Sequence, residues 1–594
     1  MFRRRSIKLL ILCALLLSVA QAPRVMPAAP ERRVPPLDDA PFGLNTHLAT
    51  RYPDLASMPT PADVVAQSGA GWAREDIHWY RIQPDPATWD WSFTDAALRE
   101  LLARKIQIVG VLGHPPGWAT PYGGDPSSGV SFYAPDPQRF VAFAGAVAQR
   151  YGHFIHHWEI WNEPDNPLFW QPKPDAAAYA ELLRRSSAAI HRADPEAHIL
   201  IGGVNPYDTD FLRGVAAAGA WDSFDILALH PYVDPATPES GNLVASTDAV
   251  WALATRLGEK PIWVTEIGWA SGPSERDPSS TADEQTQANN LVRALLLLWR
   301  AGAERIFWYT LKDDTNNPYG LVALGAGSAD YSVLKPSFYA FRTLNRQLAR
   351  AEFIALHDPF KRSTVLDFET LGTWRRGDQP YGRLSATSAI QHSGRGAARL
   401  DYRFPTDGND YVVFRRDQPA AIPSQPYAIG LWVYGDGSGN TVKVWLRDAE
   451  GEVLQYALGA AGPPGWQLLQ APVGVRVGAG DRITKGGNGR LDFPARLDAI
   501  VLDDAPDSFS GSGAIYLDDL IAISGPEAYD MELRRGGVAL DVLWSSEPLG
   551  ATLSSAGASA RVVERDGRRR TAAVEGGKIS LTLGPTPIYV VHTR

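Results

Sequence analysis

One cysteine, Cys13, stands in 594 residues. It lies inside an N-terminal apolar run and lacks the small neighbours of a lipoprotein cleavage site. A chain cut after that run has no disulfide, no Cys-ligated metal and no thiol nucleophile. The run itself, Leu9 to Ala20, is too short to span a bilayer comfortably. Positive charge is also short: the net charge is −9, and it becomes four units more negative without Arg3, Arg4, Arg5 and Lys8. Acidity of this size argues against nucleic acid or an anionic membrane as partner. No Gly-x-Gly-x-x-Gly follows the first strand pattern, which excludes the usual dinucleotide site. His47, His114 and His230 show no His-x-x-x-His or His-Glu-x-x-His spacing among themselves, so nothing in the sequence points to a catalytic metal or another catalytic cofactor.

What is present begins with an export pattern. The basic n-region, the apolar run and Ala20-Gln21-Ala22 form a signal peptide over residues 1–22, and imply a secreted, extracellular protein. Pro23 is unfavourable just after a cleavage site, so an uncleaved N-terminal anchor at the cell surface stays open. Residues 23–40, rich in Pro, Ala and Arg, read as a flexible tether. From residue 41 to 352 short apolar runs alternate with amphipathic ones. The predicted strands are Phe42–His47, Trp72–Trp79, Ile106–His114, His157–Glu163, His198–Asn205, Ile226–Tyr232, Ile262–Trp269 and Arg305–Lys312. Eight predicted helices lie near 61–69, 93–104, 138–150, 175–193, 208–219, 244–257, 282–301 and 335–350. Near-continuous apolar strands separated by helices indicate a parallel sheet covered on both faces, and eight units indicate a closed (β/α)8 TIM barrel, an α/β fold.

Polar residues fall at the C-terminal strand ends, where barrels of this kind keep their chemistry. Two stand out. Glu163 closes Trp158-Glu159-Ile160-Trp161-Asn162-Glu163-Pro164, and if strand geometry persists Glu159, Trp161 and Glu163 share one face. Taken alone, Glu163 reads as a rim ion pair, for instance with Arg74. Glu266 lies in Trp263-Val264-Thr265-Glu266-Ile267-Gly268-Trp269, an acid on a strand that should be buried, which is costly without partners. Two such carboxyls across a barrel mouth suit cleavage of a glycosidic bond, one protonating the leaving oxygen and the other lying ionised beneath the ring. Glu75, Asp76, Asp313 and Asp314 also lie near strand ends but not at the positions of this pair. Nineteen tryptophans suit both core packing and the stacking of sugar rings.

With these motifs, together with His230-Pro231-Tyr232, the stretch 41–350 resembles clan A of the glycoside hydrolases, and within it family 39 and its bacterial relatives. The resemblance implies a retaining glycosidase acting through a covalent glycosyl-enzyme, with Glu163 as acid/base and Glu266 as nucleophile. It further implies that Asn162 binds the hydroxyl next to the reacting carbon, that Arg74 holds Glu266 ionised, and that Tyr232 positions it. His230 would bond substrate or carboxylate, with a structural histidine the alternative. Trp308 would form a platform under the sugar, His114 would line the site, and Trp79, Trp118 and Trp269 would be walls, with core packing open for each tryptophan.

After residue 352 the helical period vanishes and all-β modules follow. Residues 364–524 are similar to carbohydrate-binding jelly rolls, a β-sandwich opening with Leu366-Asp367-Phe368-Glu369 and closing with Tyr516-Leu517-Asp518-Asp519-Leu520. The resemblance implies a structural calcium on Glu369 and Asp518, whose alternative is acidic turn residues with no ion. Residues 525–594 resemble the small β domain beside the barrel in several clan A families. The expected partner is a β-linked polysaccharide or oligosaccharide, cut internally. A non-catalytic polysaccharide-binding surface protein and a transglycosylase with the same residues remain as alternatives.

Overall fold

The computed structural model describes residues 34–594 apart from 122–131, 207–208, 240–242, 358–360, 407, 424, 427, 474–476, 485, 505–506, 508 and 525–527. The signal peptide and most of the tether lie outside the described residues. Eight parallel strands form the barrel: β1 Phe42–Asn45, β2 Trp72–His78, β3 Gln107–Gly113, β4 His157–Ile160, β5 His198–Ile201, β6 Leu227–Leu229, β7 Ile262–Ile267 and β8 Arg305–Trp308. They run β5-β4-β3-β2-β1-β8-β7-β6, and the bridges Leu200–Ile226 and Val204–Leu229 close β5 onto β6. The expected eight-stranded barrel followed by antiparallel sheets is therefore what the chain forms.

Side chains alternate along a strand, so inward residues stack in layers two apart. Near the base Trp72 stands edge-on to Trp263 and His157, at 5.2 and 5.1 Å between ring centroids. His157 stacks on Trp263 at 5.2 Å, and Phe307 packs beside both tryptophans. Two residues on from Trp72, His157 and Trp263 come Arg74, Glu159 and Thr265. An aromatic plug thus underlies a polar layer and keeps water from reaching it from below.

Most strands end earlier than their apolar runs suggest. β4 stops at Ile160, and both Trp161 (φ 74°) and Glu163 (φ 47°) adopt left-handed backbone. Alternation therefore fails there. Trp161 does not share a face with Glu159 but turns into the core, where its indole donates to the Phe169 carbonyl at 2.9 Å.

Behind the barrel, two antiparallel sheets pack face to face around Leu400, Leu431, Val444, Ile500 and Leu517. A further six-stranded sheet is built from Ala528–Arg535 and the strands after it, and takes Glu352–His357 as an edge strand paired with Ala528–Arg535. The sandwich is thus inserted between two strands of one sheet. That sheet contributes Met531, Leu533, Leu540, Val542, Trp544 and Tyr589 to the same apolar cluster as the barrel. Among the described residues no helix is long and apolar enough to cross a membrane.

Candidate active site

Arg74 organises the mouth of the barrel. Buried on β2, it reaches four side chains on three other strands or their ends. Its Nε and Nη2 donate to Glu159 at 2.7 and 3.0 Å, and Nη1 donates to Glu266 at 2.5 Å and to Asn45 at 2.9 Å. Nη2 also donates to Asn162 Oδ1 at 2.8 Å. A buried guanidinium with this many acceptors offsets its own desolvation only because each donor is used. Glu159, 0% exposed, also accepts from the Gly203 amide at 2.9 Å.

Glu266 accepts from Tyr232 Oη at 3.0 Å on its second oxygen. Burial pushes its carboxyl up, but the cationic His230 and Arg74 outweigh burial and hold it below the usual carboxylate range. Glu163 is more open. It accepts from Asn166 Nδ2 at 2.7 Å, and its other oxygen lies 2.8 Å from His230 Nδ1. His230 Nδ1 is also 3.9 Å from Glu266, and Nε2 lies 3.0 Å from Thr265 Oγ1. Burial lowers the His230 pKa, yet Glu266 and Glu163 raise it further, so the imidazolium is favoured between them. A Cβ on Gly203 would sit 2.0 Å from His230 Nε2, so only glycine leaves that ring its place.

A carboxylate oxygen of Glu163, one of Glu266 and a ring nitrogen of His230 lie within 4.8 Å of one another. Such a trio can ligate a metal ion, but the positive charge it would attract is already supplied by Arg74 and the protonated His230. Tyr232 carries the Arg276 guanidinium 4.6 Å from its ring centroid, and burial lifts its hydroxyl well above the ordinary phenol range. It is a donor to Glu266, not a base.

The sequence also pointed to aromatic walls, and here the structure redistributes them. Trp308 is 0% exposed, donates to the Tyr319 carbonyl and stacks on Trp269. It therefore presents no face to the mouth. The next residue, Tyr309, is half-buried there, edge-on to His47 at 5.6 Å and to Tyr232 at 6.3 Å. Trp269 is buried and donates to the Ala236 carbonyl. Trp79 stacks on Phe143, while the half-buried Trp118 stands edge-on to Trp79.

His114, at the end of β3, joins His78 and His47 around Asp76. His47 Nδ1 lies 2.6 Å from Asp76 and His78 Nε2 3.5 Å away, while the His114 and His78 rings are 4.2 Å apart. Burial lowers all three imidazoles, His114 to about 4, so they stay neutral around an ionised Asp76. Glu75 points away into the wall and accepts from the Ala49 amide, Asp313 pairs with Lys335 and Asp314 with Arg51. The residues not singled out beforehand, Asn166, Thr265 and Tyr309, carry no local signal. Asn166 and Tyr309 join the site because the chain turns after the strand ends, whereas Thr265 faces inward from within β7.

Glu369 and Asp518 lie in the sandwich, and each already accepts from backbone amides. Glu369 accepts from the Arg395 and Gly396 amides at 2.6 and 3.3 Å, and Asp518 from the His392, Ser393 and Asp519 amides at 2.9 to 3.2 Å. Gly394, at φ +60°, wraps so tightly that a Cβ would overlap Glu369. These backbone N–H donors take lone pairs that a cation would otherwise use. As placed, the two acids hold the turn 392–396.

Residues 138–328 match a family model described as glycosyl hydrolase catalytic core. A solved family 39 glycoside hydrolase from Bacteroides cellulosilyticus WH2 superposes with a TM-score of 0.51 at 16% identity, covering 95% of this chain and 81% of that one. The chain shares the fold of that family 39 glycoside hydrolase. A monomeric β-xylosidase from Caulobacter crescentus CB15 aligns at 14% identity over 82% of this chain and 98% of its own, with a TM-score of 0.44. A glucosidase from Croceicoccus marinus aligns at 14% identity over 79% and 96%, with a TM-score of 0.43. No curated protein matches the chain. The matched segment runs from the helix before β4 to the loop after β8, and so includes Glu163, His230, Tyr232 and Glu266 but not Arg74.

Proposed function

We propose that the chain is a secreted retaining glycosidase that cuts β-linkages within a polysaccharide through a covalent glycosyl-enzyme. The observation that carries this is the pair of carboxylates with unlike surroundings, one oxygen of each lying within 4.8 Å of the other. Retaining enzymes keep their two carboxyls about 5–5.5 Å apart, whereas inverting ones need about 6.5–9.5 Å to admit a water. Glu266, held ionised by Arg74, Tyr232 and His230, attacks the anomeric carbon. Glu163 gives a proton to the leaving oxygen, then takes one from the water that opens the ester. Asn162, its Oδ1 occupied by Arg74, has Nδ2 left for the sugar, and Tyr309 offers the ring face beside it.

The polymer reading is supported by the sandwich. Trp432, Tyr434, Trp466 and Tyr516 lie half-buried on one face of a sheet, Tyr434 pairing with both Trp466 and Tyr516 across the strands. His392 stacks on Trp432 at 3.8 Å and Arg399 lies over Tyr516 at 5.6 Å, which leaves Tyr434 and Trp466 for the C–H faces of sugars. Export is supported by the Arg3–Ala22 pattern. The test is reducing-end release from a panel of β-linked polysaccharides by the mature protein and its Glu266→Gln variant. Activity lost in the variant supports the assignment, and activity equal in both overturns it. Proton NMR of the first anomer released tests retention.

A further inference from the structure

The loop after β6 carries Tyr232, the hydroxyl that steadies Glu266, and it is poorly able to hold itself. Pro231, Pro235 and Pro238 remove three backbone donors from nine residues, so a regular hydrogen-bond ladder cannot form there. Side chains from elsewhere take over. Asp234 accepts from Arg276 at 3.1 Å and from Tyr319, and the Ala236 carbonyl accepts from Trp269 at 2.8 Å. Glu239, at the far end, is gripped by Arg293 of helix Glu284–Arg300, with Nε at 2.8 Å. It also accepts from Trp544 Nε1 at 2.9 Å.

Trp544 belongs to the C-terminal sheet, on strand Val538–Ser545. It is buried and stacks on Tyr529 of the neighbouring strand at 4.7 Å between centroids, nearly parallel at 9°. The sheet is in turn fixed to the barrel. Arg565 donates to the Gln285 carbonyl at 3.0 Å and to Asn289 on the same helix as Arg293. Arg535 donates to the carbonyls of Arg346 and Gln347 at 2.8 and 2.7 Å. Packing of this sheet alone needs no indole N–H aimed at a barrel loop.

We infer that Trp544 is a positioning residue: through Glu239 the C-terminal β domain sets the loop that holds Tyr232 against the nucleophile, so this domain is part of the catalytic apparatus. The inference rests on the glycosidase reading above. A buried bond to a carboxylate is among the stronger hydrogen bonds, and losing it leaves Glu239 held by Arg293 alone, with no donor from the C-terminal sheet to fix its position.

The test uses the full mature chain and Trp544→Phe, which keeps the apolar stack on Tyr529 and removes only the donor. On whichever polysaccharide the wild type cleaves, kcat falls about tenfold with KM little changed, short of the roughly hundredfold cost of a misplacement of about 1 Å at the chemistry. The acid limb of the kcat/KM profile moves up in pH, since Glu266 loses part of the donation from Tyr232. In a Tyr232→Phe background the same substitution costs nothing further. A lower melting temperature with unchanged kcat and acid limb, or an undiminished cost without the Tyr232 hydroxyl, would assign Trp544 to packing and overturn the inference. Amide exchange of residues 230–239 decides independently of activity. Exchange about tenfold faster in the variant supports the link, and unchanged exchange refutes it. A wild type inactive on every polymer would count against the glycosidase reading, and the exchange result would still stand.

Discussion

Replacing Arg74 by methionine removes the one cation that Glu159 and Glu266 share. Glu159 is the more exposed to the consequence, because it is 0% exposed to solvent and receives two of the guanidinium's bonds, at 2.7 and 3.0 Å. Breaking a buried pair by deleting one partner costs about 3–5 kcal/mol, most of it the stranded charge. Guanidinium unfolding at pH 7 followed by near-ultraviolet circular dichroism, which reports the barrel's buried tryptophans, measures the loss. Adding Glu159→Gln removes the stranded charge and recovers much of the stability, so the double variant is more stable than Arg74→Met alone. A double variant no more stable than Arg74→Met would refute the claim that Arg74 acts by neutralising Glu159.

Gly203→Ala places a methyl 2.0 Å from His230 Nε2; the ring must move, and kcat falls about a hundredfold while the far-ultraviolet spectrum is unchanged, an outcome steady-state kinetics checks directly. Tyr309→Ala lowers kcat/KM about tenfold through loss of ring contact with the sugar, whereas Trp308→Phe, at a fully buried indole, lowers the melting temperature and leaves kcat/KM near wild type. In the C-terminal sheet Asp530 is half-buried beside Asp541, and partial burial and that neighbouring charge push its carboxyl up to about 7. Because it ionises near 3.9 when unfolded, stability is lost as pH rises from about 4 through 7, and Asp530→Asn raises the melting temperature at pH 8 but not at pH 4.

The barrel was legible because its strands are buried on both faces. A run such as Ile262-Trp263-Val264-Thr265-Glu266-Ile267 is apolar throughout except where chemistry needs it not to be. Strand ends were less legible: nothing in Trp161-Asn162-Glu163 announces left-handed backbone at its first and third residues, and that turn is what aims Glu163 across the mouth. The aromatic ring at the mouth is Tyr309 and not Trp308 for the same reason. Tryptophan is the stronger stacking residue, but β8 ends at position 308 and the residue after it faces the opening. The pairing of Glu352–His357 with Ala528–Arg535 could not be read at all, since about 170 intervening residues form their own sandwich and local pattern carries no memory of so distant a partner.

The polar layer of the barrel can be treated as one charged object. Glu159, Glu163 and Glu266 bring three negative charges, while Arg74 and protonated His230 bring two positive ones. A desolvated cluster favours neutrality. Arg74 is saturated by Glu159, Glu266, Asn45 and Asn162, while His230 Nδ1 and Glu163 lie 2.8 Å apart on the far side, the side nearer water. On the retaining reading proposed above, the ester formed on Glu266 removes one negative charge and leaves the layer neutral with Glu163 ionised, the state in which that carboxylate can take a proton from water. On that reading the change from acid to base follows the charge count of the layer.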